Sequence, residues 1–321
     1  MFQPRFILVL ILGASLASNV FAADTKKQKK DKEETTQALA LPKDPPAVAI
    51  GDSTRLVFNV SPLSGKGLLS QQTRDALKAI LKENGGVPVI HIRAFVAGSG
   101  DVRRIPQIVS EVFTDKKMAL PSVSVIPAGG LPLENAQVLI EAISEAKKPV
   151  NPAGIGFIAA QDSLEKLATA VGSATAIQVS CLVTDIAAST LMPATISSRF
   201  PSAVVSLVQT ERNPGRAVTQ CEAIVRGGKT GRLAFTGTRG AFGSEESDIR
   251  LAFARLYKDL TDAGAPPAGI VATNIYPISA ALSIVVRGLI DMPGAISFLP
   301  FEGVAAMDAS LMLDAVASAS N

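Results

Sequence analysis

The chain has 321 residues, 47% of them hydrophobic, no tryptophan and a formal charge of +3. That length accommodates two or three ordinary domains with a sizeable core. The charge is nearly balanced and its Lys and Arg are scattered, so there is no electrostatic case for nucleic acid as a partner or for a strongly anionic substrate.

Residues 1–22 read as a signal peptide, with Arg5 as the basic start, an apolar run from Phe6 to Ala17 and the small-residue pattern Val20-Phe-Ala22. The apolar run is too short for a stable membrane anchor, which needs roughly 20 residues. The expected product is an exported protein, periplasmic or secreted, cleaved near Ala22. Residues 23–52 read as a charged, Pro-rich linker, with six Lys and five acidic residues between 23 and 46.

Structural patterning begins near residue 53. Arg55-Leu-Val-Phe-Asn-Val60 is strand-like, and Ala76, Leu77, Ile80 and Leu81 predict a helix that Gly85-Gly86 stops. A β-branched strand follows over 87–96, then a break at Gly98-Ser-Gly100, then a helix carrying Ile105, Ile108, Val109 and Phe113. Two closing strands complete the unit: Leu120-Pro-Ser-Val-Ser-Val125 and Leu139-Ile-Glu-Ala-Ile143. The order then recurs. In the second unit a helix carries Leu164 and Leu167, a strand covers 177–183, and a second helix covers 187–200 with Pro193 marking a kink or a late start. In the third, a strand at Arg232-Leu-Ala-Phe235 precedes a helix over 246–263, a strand over 270–276 and a helix over 279–290.

Two spacings support a triplication. Ser124 and Glu141, Ser206 and Glu222, and Ser297 and Asp314 lie 17, 16 and 17 residues apart. A Leu stands eight residues before a helix-ending Gly at Leu77/Gly85, Leu164/Gly172 and Leu256/Gly264. Such a period is too long for a solenoid repeat and suits a small β-β-α-β-α-β-β unit. The expected boundaries are 53–148, 149–227 and 228–321.

This unit resembles the Rid family, also called YjgF. The resemblance rests on Asp75-Ala-Leu-Lys-Ala-Ile-Leu-Lys-Glu-Asn-Gly85, Pro121 to Val125, Leu131-Pro132 and Ile140-Glu-Ala-Ile143, with two more diverged copies behind. It implies an α+β, chorismate-mutase-like fold, with three units closed as an intramolecular pseudo-trimer in a monomeric chain and pockets between the units. Family deaminases place an Arg before the Val-x-Val strand and a Glu on the closing strand. The matching positions here are Leu120, Ser202 and Pro293 for the Arg, and Leu139, Gln220 and Met312 for the Glu. The resemblance therefore implies lost enamine/imine deaminase chemistry and no catalytic residue by that route.

Other chemistry is weak. His91 is the single histidine, read as structural, so neither a metal site nor a Ser-His-Asp triad with Gly51-Asp-Ser53 is expected. Gly228-Lys-Thr230 lacks the Gly that a phosphate loop needs at position 223, and no cofactor is expected. Cys181 and Cys221 are expected as buried thiols, with a cross-strand bridge as the alternative. Arg93, Ser180 and Asn274 occupy matching third-strand positions, and Arg93 is expected to pair with Glu141 if their strands are neighbours. Arg93, Glu141, Ser180, Gln220 and Asn274 are the candidate ligand-binding residues, for a small zwitterionic or carboxylate metabolite at an inter-unit pocket. The alternatives are a deaminase with a rebuilt site and a structural, partner-binding ring.

Overall fold

The computed structural model describes residues 43–98, 101–211, 217–303 and 309–320. The expected signal peptide, the linker as far as residue 42 and most of the Gly98-Ser-Gly100 break lie outside these residues. Among the described residues no helix is long and apolar enough to cross a membrane.

Strand β1 (Val48–Asp52) comes first, then the first unit: β2 (Leu56–Val60), α1 (Leu69–Glu83), β3 (Val89–Ala97), α2 (Arg104–Asp115), β4 (Ser122–Ala128) and β5 (Val138–Glu145). The second unit repeats it as β6 (Ile155–Gln161), α3 (Leu164–Val171), β7 (Ala176–Val183), α4 (Met192–Arg199), β8 (Val204–Gln209) and β9 (Thr219–Arg226). The third has β10 (Arg232–Thr236), β11 (Arg239–Ala241), α5 (Glu246–Asp262), β12 (Ile270–Pro277), α6 (Ala280–Leu289), β13 (Ala295–Phe298) and β14 (Leu311–Ser318). The fold is α+β, with three such units in one chain.

Each sheet has the same order. The leading strand pairs with the closing strand, the closing strand with the middle strand, and the middle strand runs parallel to its other neighbour, as in β2-β5-β3-β4 and β6-β9-β7-β8. One feature departs from the expected β-β start. β1 leaves the first unit and pairs antiparallel with β10, so it extends the third sheet. Residues 48–52, expected in the linker, are this strand, and units one and two each keep a single leading strand.

The helix signals have a local cause. Gly85, Gly172 and Gly264 follow their helices with φ of +62°, +59° and +74°, a left-handed cap that suits glycine. Leu77, Leu164 and Leu256 point inward about two turns earlier. Ser163 and Ser279 cap α3 and α6 by accepting from the backbones of Lys166 and Leu282. Pro193 sits in the first turn of α4, which gives that helix its late start.

The middle strands are covered on both faces. Ile92, Ala94 and Val96 of β3 face α1 and α2, whereas Phe95 and Ala97 join a cluster with Leu182 of the second unit and Tyr276, Leu299 and Met312 of the third. A second shared cluster joins Leu56, Phe58 and Ile143 to Ile155, Ile177, Leu233 and Phe235. The units meet cyclically: β2 against β8, β6 against β13, and β10 against β4. Three inward sheet faces thus close into one ring within a single chain.

The cysteines depart from the expected thiols. Cys181 and Cys221 form a disulfide across β7 and β9, with Cα atoms 4.1 Å apart, under the helices of the second unit. Antiparallel register explains it: once Ser180 faces Glu222, Cys181 must face Cys221.

Ring closure depends on a glycine. Gly237 lies at the seam between units three and one, where its N–H donates to the Ala47 carbonyl and an added Cβ would stand 2.7 Å from the Val123 carbonyl oxygen. Gly237→Ala is expected to destabilise the protein by about 1–3 kcal/mol, because the contact is with backbone. Gly288, inside α6 with no atom within 4 Å of an added Cβ, supplies the opposite case. Gly288→Ala is expected to be neutral or to stabilise by up to about 1 kcal/mol. Urea unfolding of both variants checks the contrast, and equal effects would contradict the seam packing.

Candidate functional site

The three sheets place their inward residues in layers. At one level Phe95 faces Leu139, Leu182 faces Gln220 and Tyr276 faces Met312. One pleat further, Arg93 faces Glu141, Ser180 faces Glu222 and Asn274 faces Asp314. The parallel neighbours at this level are Ser124, Ser206 and Ser297. The third level pairs His91 with Ile143, Gln178 with Ile224 and Ala272 with Val316. A polar layer therefore lies between two mainly apolar ones, and the three Ser–acid spacings are its sequence trace.

Arg93 is the hub of the polar layer. Its Nε donates to Glu141 Oε2 at 2.6 Å and its Nη1 to Glu222 Oε1 at 2.7 Å. Nη1 also donates to the Tyr276 hydroxyl at 3.3 Å and Nη2 to Ser180 Oγ at 3.1 Å. One guanidinium thus contacts all three units. Glu141 Oε1 accepts from Ser180 Oγ at 2.7 Å and from Ser206 Oγ. In the third unit Asp314 accepts from Asn274 Nδ2 at 3.1 Å and from the Tyr276 hydroxyl at 3.2 Å.

Burial would lower the pKa of Arg93, but Glu141 and Glu222 outweigh it and hold the guanidinium well above its usual range. Burial raises Asp314 to about 6, against the pull of Arg93, and Glu222 adds to the rise. Burial and the Arg93 charge lower His91 to about 3, so its imidazole is neutral. His91 Nδ1 lies 2.9 Å from Ser122 Oγ and its ring stacks on Phe235, the structural role expected for it.

A cavity of about 70 Å³ opens beside this layer, walled mainly by the second and third units and closed by His91, Arg93, Glu141 and Ile143 of the first. Arg93, Glu141, Ser180 and Asn274 line it with Glu222, Asp314 and Ser297. Its position has a sequence cause. Where the first unit carries His91 beside Ser122 and the second Gln178 beside Val204, the third carries Ala272 beside Ala295. Two alanines leave the space that larger side chains fill elsewhere.

The structure brings four of the five candidate residues together and leaves one out. Gln220 sits one pleat away in the apolar layer, off the cavity, with its Oε1 buried and without a hydrogen-bond partner among the described residues. Glu222, Asp314 and Tyr276 complete the network. Glu222 and Asp314 are the acids of the Ser–acid repeat, whereas Tyr276 had no signal before the three sheets were superposed in register. Leu139 and Met312 are buried in the shared apolar cluster. Among the described residues no cluster of three His, Cys, Asp or Glu is placed to hold a metal ion.

The two perturbed groups act oppositely on stability. Asp314 has a raised folded pKa, so the folded state binds the extra proton, and this contribution is lost as pH rises from about 4 to 6. His91 has a depressed folded pKa, so its contribution is present above the usual imidazole value and is lost as pH falls from about 6.5 to 3. Each amounts to about 2–3 kcal/mol between about pH 4 and 6, and in the native protein they largely cancel. Relative to the native profile, Asp314→Asn is expected to make stability rise with pH over that window, and His91→Gln to make it fall. Urea unfolding at several pH values checks this, and parallel profiles for all three proteins would exclude it.

No family model and no curated protein matches the sequence. The chain is similar to solved structures of low identity. A YjgF/YER057c/UK114-family protein from Mycobacterium tuberculosis is 21% identical over 28% of this chain and 81% of its own, with a TM-score of 0.26. E. coli TdcF with bound serine is 21% identical over 34% of this chain and 94% of its own, with a TM-score of 0.26. A chorismatase is 10% identical and spans 86% of this chain and 78% of its own, with a TM-score of 0.44. These likenesses, all under 25% identity, concern fold alone.

Proposed function

We propose that this protein is an exported, monomeric ring that binds a small metabolite in the cavity between its second and third units and does not deaminate imines. The cavity carries the reading. It places charged and amide groups beside the apolar side chains of Phe157, Ile158 and Ile224, the mixture that small-molecule sites present. Leu120, Ser202 and Pro293 stand where the resemblance puts a carboxylate-holding arginine, and none offers a charge-assisted donor. Leu139 and Met312, which replace the water-positioning glutamate in units one and three, have no proton to move.

Arg93 does not replace the missing arginine, since two carboxylates, a serine and a tyrosine already occupy it. The Cys181–Cys221 bridge suits an oxidising compartment and supports export of a chain whose first 22 residues read as a signal peptide. Monomeric assembly is supported by the closure of the ring within one chain, where each unit finds two neighbours that a separate subunit would otherwise supply.

The expected result with freshly generated 2-aminoacrylate is no ammonia release above buffer. In thermal melts against small amines, carboxylates and amino acids, at least one class is expected to raise Tm. Ala295→Leu, which fills the cavity from β13, should remove that rise. Ammonia release that Ala295→Leu abolishes would replace the binding reading with a rebuilt enzyme.

A further inference from the structure

The charge of the polar layer points to the kind of ligand. Among the described residues, the charged side chains lining the cavity are Arg93, Glu141, Glu222 and Asp314, one cation against three carboxylates. His91, the other titratable group in the wall, is neutral. Arg93 is engaged in four directions by groups of all three units. Glu141 is also saturated, by Arg93, Ser180 and Ser206.

The uncompensated charge lies on the side of the second and third units. Glu222 has Oε1 on Arg93, while its other oxygen accepts no hydrogen bond from a described side chain. Asp314 accepts from neutral groups, Asn274 and Tyr276, and makes no ion pair with Arg93 among the described residues. A buried carboxylate without a counter-charge is costly, and a cation entering beside it removes that cost. A carboxylate ligand meets the reverse situation, three carboxylates that share one cation and no free guanidinium. The lining also includes the Phe157 ring, a surface that favours a cation.

We propose that the cavity takes a small organic cation, a primary ammonium group seated between Glu222 and Asp314 with its short apolar tail toward Phe157, Ile158 and Ile224. This rests on the cavity being a ligand site, as proposed above. It changes the expected chemistry from a carboxylate held by Arg93 to an amine held by Asp314, which has no arginine partner, and by the second oxygen of Glu222. The available volume of about 70 Å³ restricts the ligand to a few non-hydrogen atoms.

Ligand-observed NMR on the full chain at neutral pH tests this with three probes of similar size: ethylammonium chloride, sodium propionate and 1-propanol. Ethylammonium is expected to show saturation transfer, with a dissociation constant of roughly millimolar order because so small a ligand has few contacts. Propionate is expected to show none. Glu222→Gln should weaken ethylammonium binding by about tenfold or more, the scale of one charge-assisted contact. Ala295→Leu keeps every charge and should abolish it, which serves if Glu222→Gln does not fold. Propionate or propanol binding lost in Ala295→Leu, with no ethylammonium signal, would overturn the cation and leave the ligand site standing. An ethylammonium signal that survives both variants is surface binding and overturns the cation. No binding of any probe to the native chain overturns both readings.

Discussion

The three-unit ring is organised around one buried guanidinium. Arg93 belongs to the first unit, yet its donors end on Glu222 and Ser180 of the second and on Tyr276 of the third. Burying such a group costs several kcal/mol unless charge and hydrogen bonds are both supplied. The supply comes from three separate sheets, so the network is satisfied only when all three inward faces meet in one register. Slippage of any sheet by one residue would turn its acid out of this layer and toward its own helices. Apolar clusters on either side provide the area that drives closure, but they are tolerant of shape, while the polar layer is not.

That network also explains why a threefold arrangement is not threefold in detail. The equivalent positions hold Arg93, Ser180 and Asn274, opposite Glu141, Glu222 and Asp314. In a ring of identical subunits every copy carries the same pair, and three arginines would balance three acids. A single chain is free of that constraint. Here one Arg serves two acids, and the third acid turns to neutral partners in its own unit. Burial then raises Asp314 to about 6, a consequence of the asymmetry rather than of any one contact.

Much of this was legible in the sequence because it is local. Helix ends show at Gly85, Gly172 and Gly264, since a left-handed cap is a one-residue requirement. The Ser–acid spacings near 17 show because the two strands on either side of each middle strand are consecutive in the chain. A near-constant count between them places Ser and acid on opposite flanks of the same middle-strand residue. What stayed hidden is non-local. Val48–Asp52 lies in a stretch that reads as linker, and its partner Arg232–Thr236 is nearly two hundred residues away. Gln220 kept a polar side chain at a position whose neighbours are Leu182, Tyr276 and Met312, and polarity alone could not reveal that layer. The disulfide was within reach, because aligning Ser180 with Glu222 already sets Cys181 against Cys221.

The location of the cavity follows from the same loss of symmetry. Its space arises where Ala272 and Ala295 replace the larger pairs of the other units, and its charge arises where Glu222 and Asp314 lack a second arginine. Neither feature alone makes a site: small residues in a neutral layer would leave a dry void, and unpaired acids in a filled layer would be driven to protonate. Both occur on the same flank of the same polar layer, between units two and three. The first unit spends its polar position on holding the ring together through Arg93. Arg93 closes one wall of the cavity in doing so, and the second and third units supply the space and the remaining charge that a ligand meets.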